Sequence, residues 1–174
     1  FVISGFLITK IILENLESNS FSFAEFYFRR IRRIFPALFL VLVSCYGFGW
    51  FALYASEFKG LGEHIAASAG FIQNFILLNE IAYFERGVDT KPLIHLWSLA
   101  IEEQFYLVIP FLIWIVPFKK IPHLLISLIL VCVSFRVWVV MTYDPNYWWM
   151  TIYCHTLSRS DVLLIGALIA YYHS

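Results

Sequence analysis

Apolar residues in this chain run in long blocks, broken by short polar segments. A helix that crosses a bilayer needs about 20 predominantly apolar residues. The first block, Phe1 to Leu13, is shorter than that and ends in the polar stretch Glu14 to Ser20. Phe21 to Phe28 is aromatic and amphipathic and leads into Arg29-Arg30-Ile31-Arg32-Arg33, a pattern that predicts a helix lying at the membrane interface. Pro36 then opens an apolar run to about Tyr54, since proline is tolerated in the first turn of a helix. The block Leu61 to Leu78 is weaker, because it holds Glu63, His64, Gln73 and Asn74; it reads as a polar-lined span or a re-entrant segment. A charged loop follows over Asn79 to Lys91, and Pro92 starts a helix running to about Val116. Lys119-Lys120 and Pro122 punctuate it before a further span over His123 to Tyr143. Asp144-Pro145-Asn146 marks a turn, and a last span covers Leu157 to Tyr172.

Composition agrees with this reading. Of 174 residues, 61% are hydrophobic, 20% aromatic and only 14% charged. The mean hydropathy is +0.78. A soluble domain of this length could not bury so much apolar surface, so the surplus faces lipid. The expected fold class is therefore all-α, a polytopic transmembrane helix bundle. The formal net charge is zero, which gives no electrostatic footprint for nucleic acid. Four of the twelve Lys and Arg residues fall between Arg29 and Arg33, and the positive-inside rule places that cluster on the cytoplasmic side. If residues 61–78 cross fully, Lys119-Lys120 falls outside; if they are re-entrant, both lysines fall inside. Cys45, Cys132 and Cys154 sit in or beside apolar runs without C-x-x-C spacing and read as packing or lipid-facing residues.

Three groups of residues could carry chemistry. The first is His95-Leu96-Trp97-Ser98-Leu99-Ala100-Ile101-Glu102-Glu103-Gln104-Phe105-Tyr106. At about 100° per residue, His95, Ser98, Glu102 and Tyr106 fall within one arc of roughly 80°, with Glu103 at its edge and Gln104 pointing the other way. An imidazole, a hydroxyl, a carboxylate and a phenol on one face make an acid–base wall for a polar cavity. The bland alternative is a polar seam between helices, but carboxylates in lipid are costly. The second group is Arg29, Arg30, Arg32 and Arg33. It is either a topology anchor beside anionic headgroups or a phosphate clamp, in which Arg30 and Arg33 share a helix face. The third is Arg159 and Asp161 at the start of the last span, read as an interfacial pair with a helix cap. Arg136 lies within an apolar run and should find a carboxylate, with Glu102 or Glu103 the candidate partners. His64, His123, His155 and His173 are scattered without metal-ligand spacing, and no metal site is expected.

Four ordered blocks give the chain a resemblance to the acyltransferase 3 family of bacterial membrane proteins. They are Phe1 to Thr9, Phe26 to Pro36, His95 to Tyr106, and Ser158 to Ala170. The H-L-W-S-L-x-x-E-E-Q-F-Y block resembles that of O-antigen and peptidoglycan O-acetyltransferases. The resemblance implies about ten transmembrane helices in the full protein. Residues 1–174 would then be a single incomplete domain, with the family's first and last helices lying outside it. It implies transfer of an acyl group, usually acetyl, from a cytoplasmic donor such as acetyl-coenzyme A to a hydroxyl of a cell-surface carbohydrate, in the bacterial inner membrane. No bound cofactor is expected; acyl-coenzyme A is a donor substrate, and membrane lipids and the carbohydrate acceptor are the other partners.

By motif, Arg30 and Arg33 would be the family's paired arginines, and Glu102 and Glu103 its acidic pair. The family's essential histidine would precede Phe1, so these residues alone are not expected to catalyse. The rival reading is a transporter or a lipid- or glycan-binding membrane protein without covalent chemistry, although no matching halves with broken helices are visible in the sequence. A purely structural membrane subunit would leave the buried charges unexplained.

Overall fold

The computed structural model describes residues 1–18, 20–81, 93, 95–143 and 148–173. Most of the charged loop after Asn79, the predicted helix start at Pro92 and the Asp144-Pro145-Asn146 turn lie outside the described residues. Among those described, the secondary structure is helical: α1 Val2–Glu17, α2 Phe23–Ala52, α3 Ala55–Ala69, α4 Gln73–Ile81, α5 Leu96–Ile115, α6 Ile121–Thr142, α7 Trp148–Cys154 and α8 Thr156–His173, with a short 3₁₀ turn at Phe118–Lys120. Three stretches are long and apolar enough to cross a membrane: Phe23–Ala52, Leu96–Ile115 and Phe118–Thr142. The protein is an integral membrane protein. The predicted last span is helical, but α8 is not among those three, because Arg159, Asp161 and flanking hydroxyl residues occupy its first turns.

The chain divides into two compact units. One comprises Phe1–Phe21 with Ile101–Ser174, the other Ser22–Ala100. In the first, α1 lies against α8 at very close range. An ideal Cβ on Gly5 would overlap the backbone carbonyl of Leu163, and one on Gly166 would overlap the carbonyl of Val2. Small residues let membrane helices approach until their backbones touch, and dispersion then replaces the hydrophobic drive that lipid cannot supply. Ile8, Ile12 and Leu13 of α1, together with Leu163, Leu164, Ala167 and Ala170 of α8, are buried. Gly166→Leu is therefore expected to reach or exceed the upper end of the about 1–3 kcal/mol usual for overpacking. A thermal melt of the purified protein in detergent checks this; an unchanged midpoint would mean that the two backbones are not in contact.

In the second unit the arginine segment and the following apolar run form one helix. Rather than an interfacial helix that ends before Pro36, α2 continues through that proline for 30 residues, roughly 45 Å. The Ser22 hydroxyl accepts from the Glu25 backbone N–H at its start. Lipid replaces water around the rest of the helix: Phe39, Leu40, Val43, Phe48, Trp50 and Phe51 are exposed, while Leu38 and Leu42 join Leu61 and Leu93 in a core. The weak block 61–78 is two helices, each too short to cross alone, broken at Gly70-Phe71-Ile72, where Phe71 adopts φ 54°. Polar side chains close the break from inside. The Ser68 hydroxyl donates to Gln73 Oε1 at 3.3 Å, which turns the amide nitrogen of Gln73 toward His64 Nδ1 at 2.7 Å. All three are buried, so two of the residues that weakened the apolar signal, His64 and Gln73, are bonded to each other in the interior.

Candidate active site

Within the first unit, α5 exposes its carboxylates where α1 passes it. Ile101, Phe105, Ile109 and Ile113 recur every four positions and are buried, which fixes the rotation of the helix. Glu102 then stands beside Ser4 of α1. The Ser4 hydroxyl donates to Glu102 Oε1 at 3.2 Å, and the Tyr106 hydroxyl, one turn along α5, donates to Oε2 at 3.2 Å. The Tyr106 ring is buried, whereas the Glu102 side chain is 26% exposed. Each carboxylate oxygen thus receives one hydroxyl donor, and the side chain stays partly open. That arrangement accepts a proton or holds an N–H of an imidazole in one orientation. Glu103 is half-buried next to it. Gln104 faces elsewhere, as its position on the helix requires, and its Oε1 accepts from the Thr156 hydroxyl of α8 at 2.5 Å.

Arg136 finds a carboxylate, but not either member of the acidic pair. Its Nη2 donates to Asp161 Oδ2 at 2.7 Å and to the Ser158 carbonyl at 2.5 Å, joining α6 to the first turn of α8. The expected Glu102 or Glu103 partnership is therefore corrected: Glu102 is engaged by hydroxyls, and Asp161 lies at the right height on α8. Arg159 and Asp161 do not pair with each other either. Asp161 is buried against Arg136, while the Arg159 guanidinium lies over the Tyr153 ring at 4.1 Å from its centroid. Between α7 and α8, His155 Nδ1 accepts from the Leu157 backbone N–H at 3.2 Å, and its ring packs on Phe135. Burial lowers the His155 pKa, so the ring is neutral at pH 7 and fits that acceptor role. Burial pushes the neighbouring Cys154 thiol up to about 11, with Arg159 acting in the opposite sense, which keeps it an unreactive thiol.

The second unit carries the arginines. Arg29 pairs with Glu25 at 2.7 Å one turn earlier, and Arg32 lies over the Phe28 ring at 5.7 Å. Arg30 is half-buried and Arg33 exposed, one turn apart on α2. His95 precedes the first residue of α5 and is exposed; the Ser98 hydroxyl donates to its carbonyl at 3.2 Å. The four-residue stripe read from the sequence thus begins one position before the helix does. Sequence reasoning gave no role to Ser4, to the Thr156 hydroxyl or to the His155 acceptor; only their contacts mark them.

A family model described as an acyltransferase domain, of the acyltransferase 3 family, matches residues 1–174. The chain belongs to that family. It is 36% identical over 181 residues to an uncharacterized protein of Haemophilus influenzae, covering 100% of this chain and 73% of that one. It is 34% identical over 175 residues to the peptidoglycan O-acetyltransferase OatA of Listeria monocytogenes, covering 98% of this chain and 28% of that protein. The chain thus spans under a third of the Listeria relative's length. No solved structure matches it. In this acyltransferase 3 member the first and fourth sequence blocks, Phe1 to Thr9 and Ser158 to Ala170, meet where Gly5 approaches Leu163 and Gly166 approaches Val2.

Proposed function

We propose that this chain belongs to a membrane O-acetyltransferase that moves acetyl from a cytoplasmic acetyl-coenzyme A to a hydroxyl of a cell-surface carbohydrate. Residues 1–174 are one incomplete domain of it, in the bacterial inner membrane. The observation that carries the reading is the Glu102 carboxylate, gripped on both oxygens within a membrane protein and still partly open. Membership of the acyltransferase 3 family and the name of the Listeria relative support the same reaction class. In the transfer, the thioester C–S bond breaks and an ester C–O bond forms. The acceptor hydroxyl gives its proton to a base, and the departing thiolate takes one up. Glu102, with Glu103 beside it, orients or assists that base, an imidazole supplied from outside residues 1–174. Tyr106 completes the polar wall beside Glu102, and Arg30 and Arg33 take the donor's phosphates.

The full-length protein in proteoliposomes, supplied with labelled acetyl-coenzyme A, tests this. Arg30→Ala and Arg33→Ala are each expected to raise the donor KM about 10-fold or more, the range for a lost hydrogen bond to a charged group. Acetyl release with an unchanged donor KM in both variants would remove the phosphate role. No acetyl turnover by the parent protein, with transport of an uncovalently altered solute instead, would replace the enzyme reading by the transporter one.

A further inference from the structure

Ser4 is a small hydroxyl in an otherwise apolar helix, and it belongs to neither the acidic nor the arginine motif. It sits one residue before Gly5, where α1 and α8 come so close that a Cβ would overlap the Leu163 carbonyl. The same contact that seats α1 therefore sets the position of the Ser4 hydroxyl, 3.2 Å from Glu102 Oε1. We propose that Ser4 is a positioning residue for the Glu102 carboxylate, acting as one jaw of a two-hydroxyl clamp whose other jaw is Tyr106.

The hydrogen-bond chemistry defines what the clamp does. A serine and a tyrosine hydroxyl each donate to a different oxygen of the same carboxylate. The two donors also come from two different helices. The carboxylate plane is thereby fixed relative to α1 as well as α5, which a single partner one turn along the same helix would not achieve. The open side of Glu102 then presents lone pairs in a set direction. The clamp rests on the reading of Glu102 as part of the acyl-transfer machinery, and it adds the element that points it.

The experiment compares Ser4→Ala, Ser4→Thr, Tyr106→Phe and Glu102→Gln in the full-length protein, in proteoliposomes with labelled acetyl-coenzyme A. Ser4→Ala is expected to lower kcat about 10-fold with little change in donor KM, as for loss of a hydrogen bond to a charged group. Tyr106→Phe should likewise lower kcat with little change in donor KM, and Ser4→Thr, which keeps the hydroxyl, should restore the rate. Rescue by threonine separates positioning from misfolding. If Glu102→Gln is inactive while Ser4→Ala keeps the parent rate, the clamp is wrong and the reading of Glu102 stands. If Glu102→Gln itself keeps full activity, both fall.

Discussion

Glu102→Gln is expected to lower acetyl transfer by the full-length protein about 100-fold or more, the range supplied by a positioned proton-transfer group. The substitution isolates charge from shape. Glutamine fills the same space and keeps one oxygen to accept from Ser4 or Tyr106. Its amide nitrogen, however, is a donor facing a second donor, and it can neither take up a proton nor balance a neighbouring positive charge. The expected loss of stability is only about 0.5–1.5 kcal/mol, that of one hydrogen bond, so the variant should be made and inserted normally. Acetyl content of the cell-surface glycan, normalised to the amount of protein in the membrane, reads the result. Activity within about threefold of the parent would leave Glu102 outside the chemistry.

Arg136→Ala carries the largest expected effect on stability, about 3–5 kcal/mol, because it strands the Asp161 carboxylate without its partner. The Asp161 side chain is only 10% exposed, and the guanidinium group reaches both its Oδ2 and the Ser158 carbonyl. The pair is not fully satisfied, however. Arg136 Nε and Asp161 Oδ1 are buried and make no hydrogen bond among the described residues. Coulombic attraction therefore offsets desolvation incompletely, and removing both charges should be far milder than removing one. Arg136→Met combined with Asp161→Leu is expected to recover most of the lost midpoint in a thermal melt in detergent. A single variant that melts like the parent, or a double variant as unstable as the single, would count against the ion pair as a fastener between α6 and α8.

Local signals in the sequence carried further than distant ones. Glu102 and Tyr106 are four apart, so helical geometry alone places them together, and the structure adds the hydrogen bond. The same geometry extended to His95 overreached, because α5 starts at Leu96 and a turn residue does not follow the helical arc. Pro36 was read as a helix start, yet α2 passes through it; loss of one backbone hydrogen bond does not end a helix whose other bonds are shielded by lipid. His64, Gln73 and Asn74 flagged block 61–78 as polar, but only the fold shows that Ser68, Gln73 and His64 bond to one another around a break. Ser4 with Glu102, Arg136 with Asp161 and Gly5 with Leu163 are partners across the chain. Neither hydrophobic period nor motif spacing records which distant residues meet, so the partner of Arg136 was misassigned while its need for one was legible.

The close approach of Gly5 to Leu163 and of Gly166 to Val2 also bears on how the protein is made. Its halves lie far apart in the sequence, so α1 is made long before the surface it fits has been synthesised. At about 5–20 residues per second, the roughly 160 intervening residues take on the order of ten to thirty seconds to translate. For that interval the glycine face of α1 meets only lipid or the insertion machinery, and the nascent chain is open to membrane proteases and to wrong helix pairings. A slower ribosome lengthens the exposure, and a variant that weakens the glycine seam leaves the early helix without a docking place even after synthesis ends.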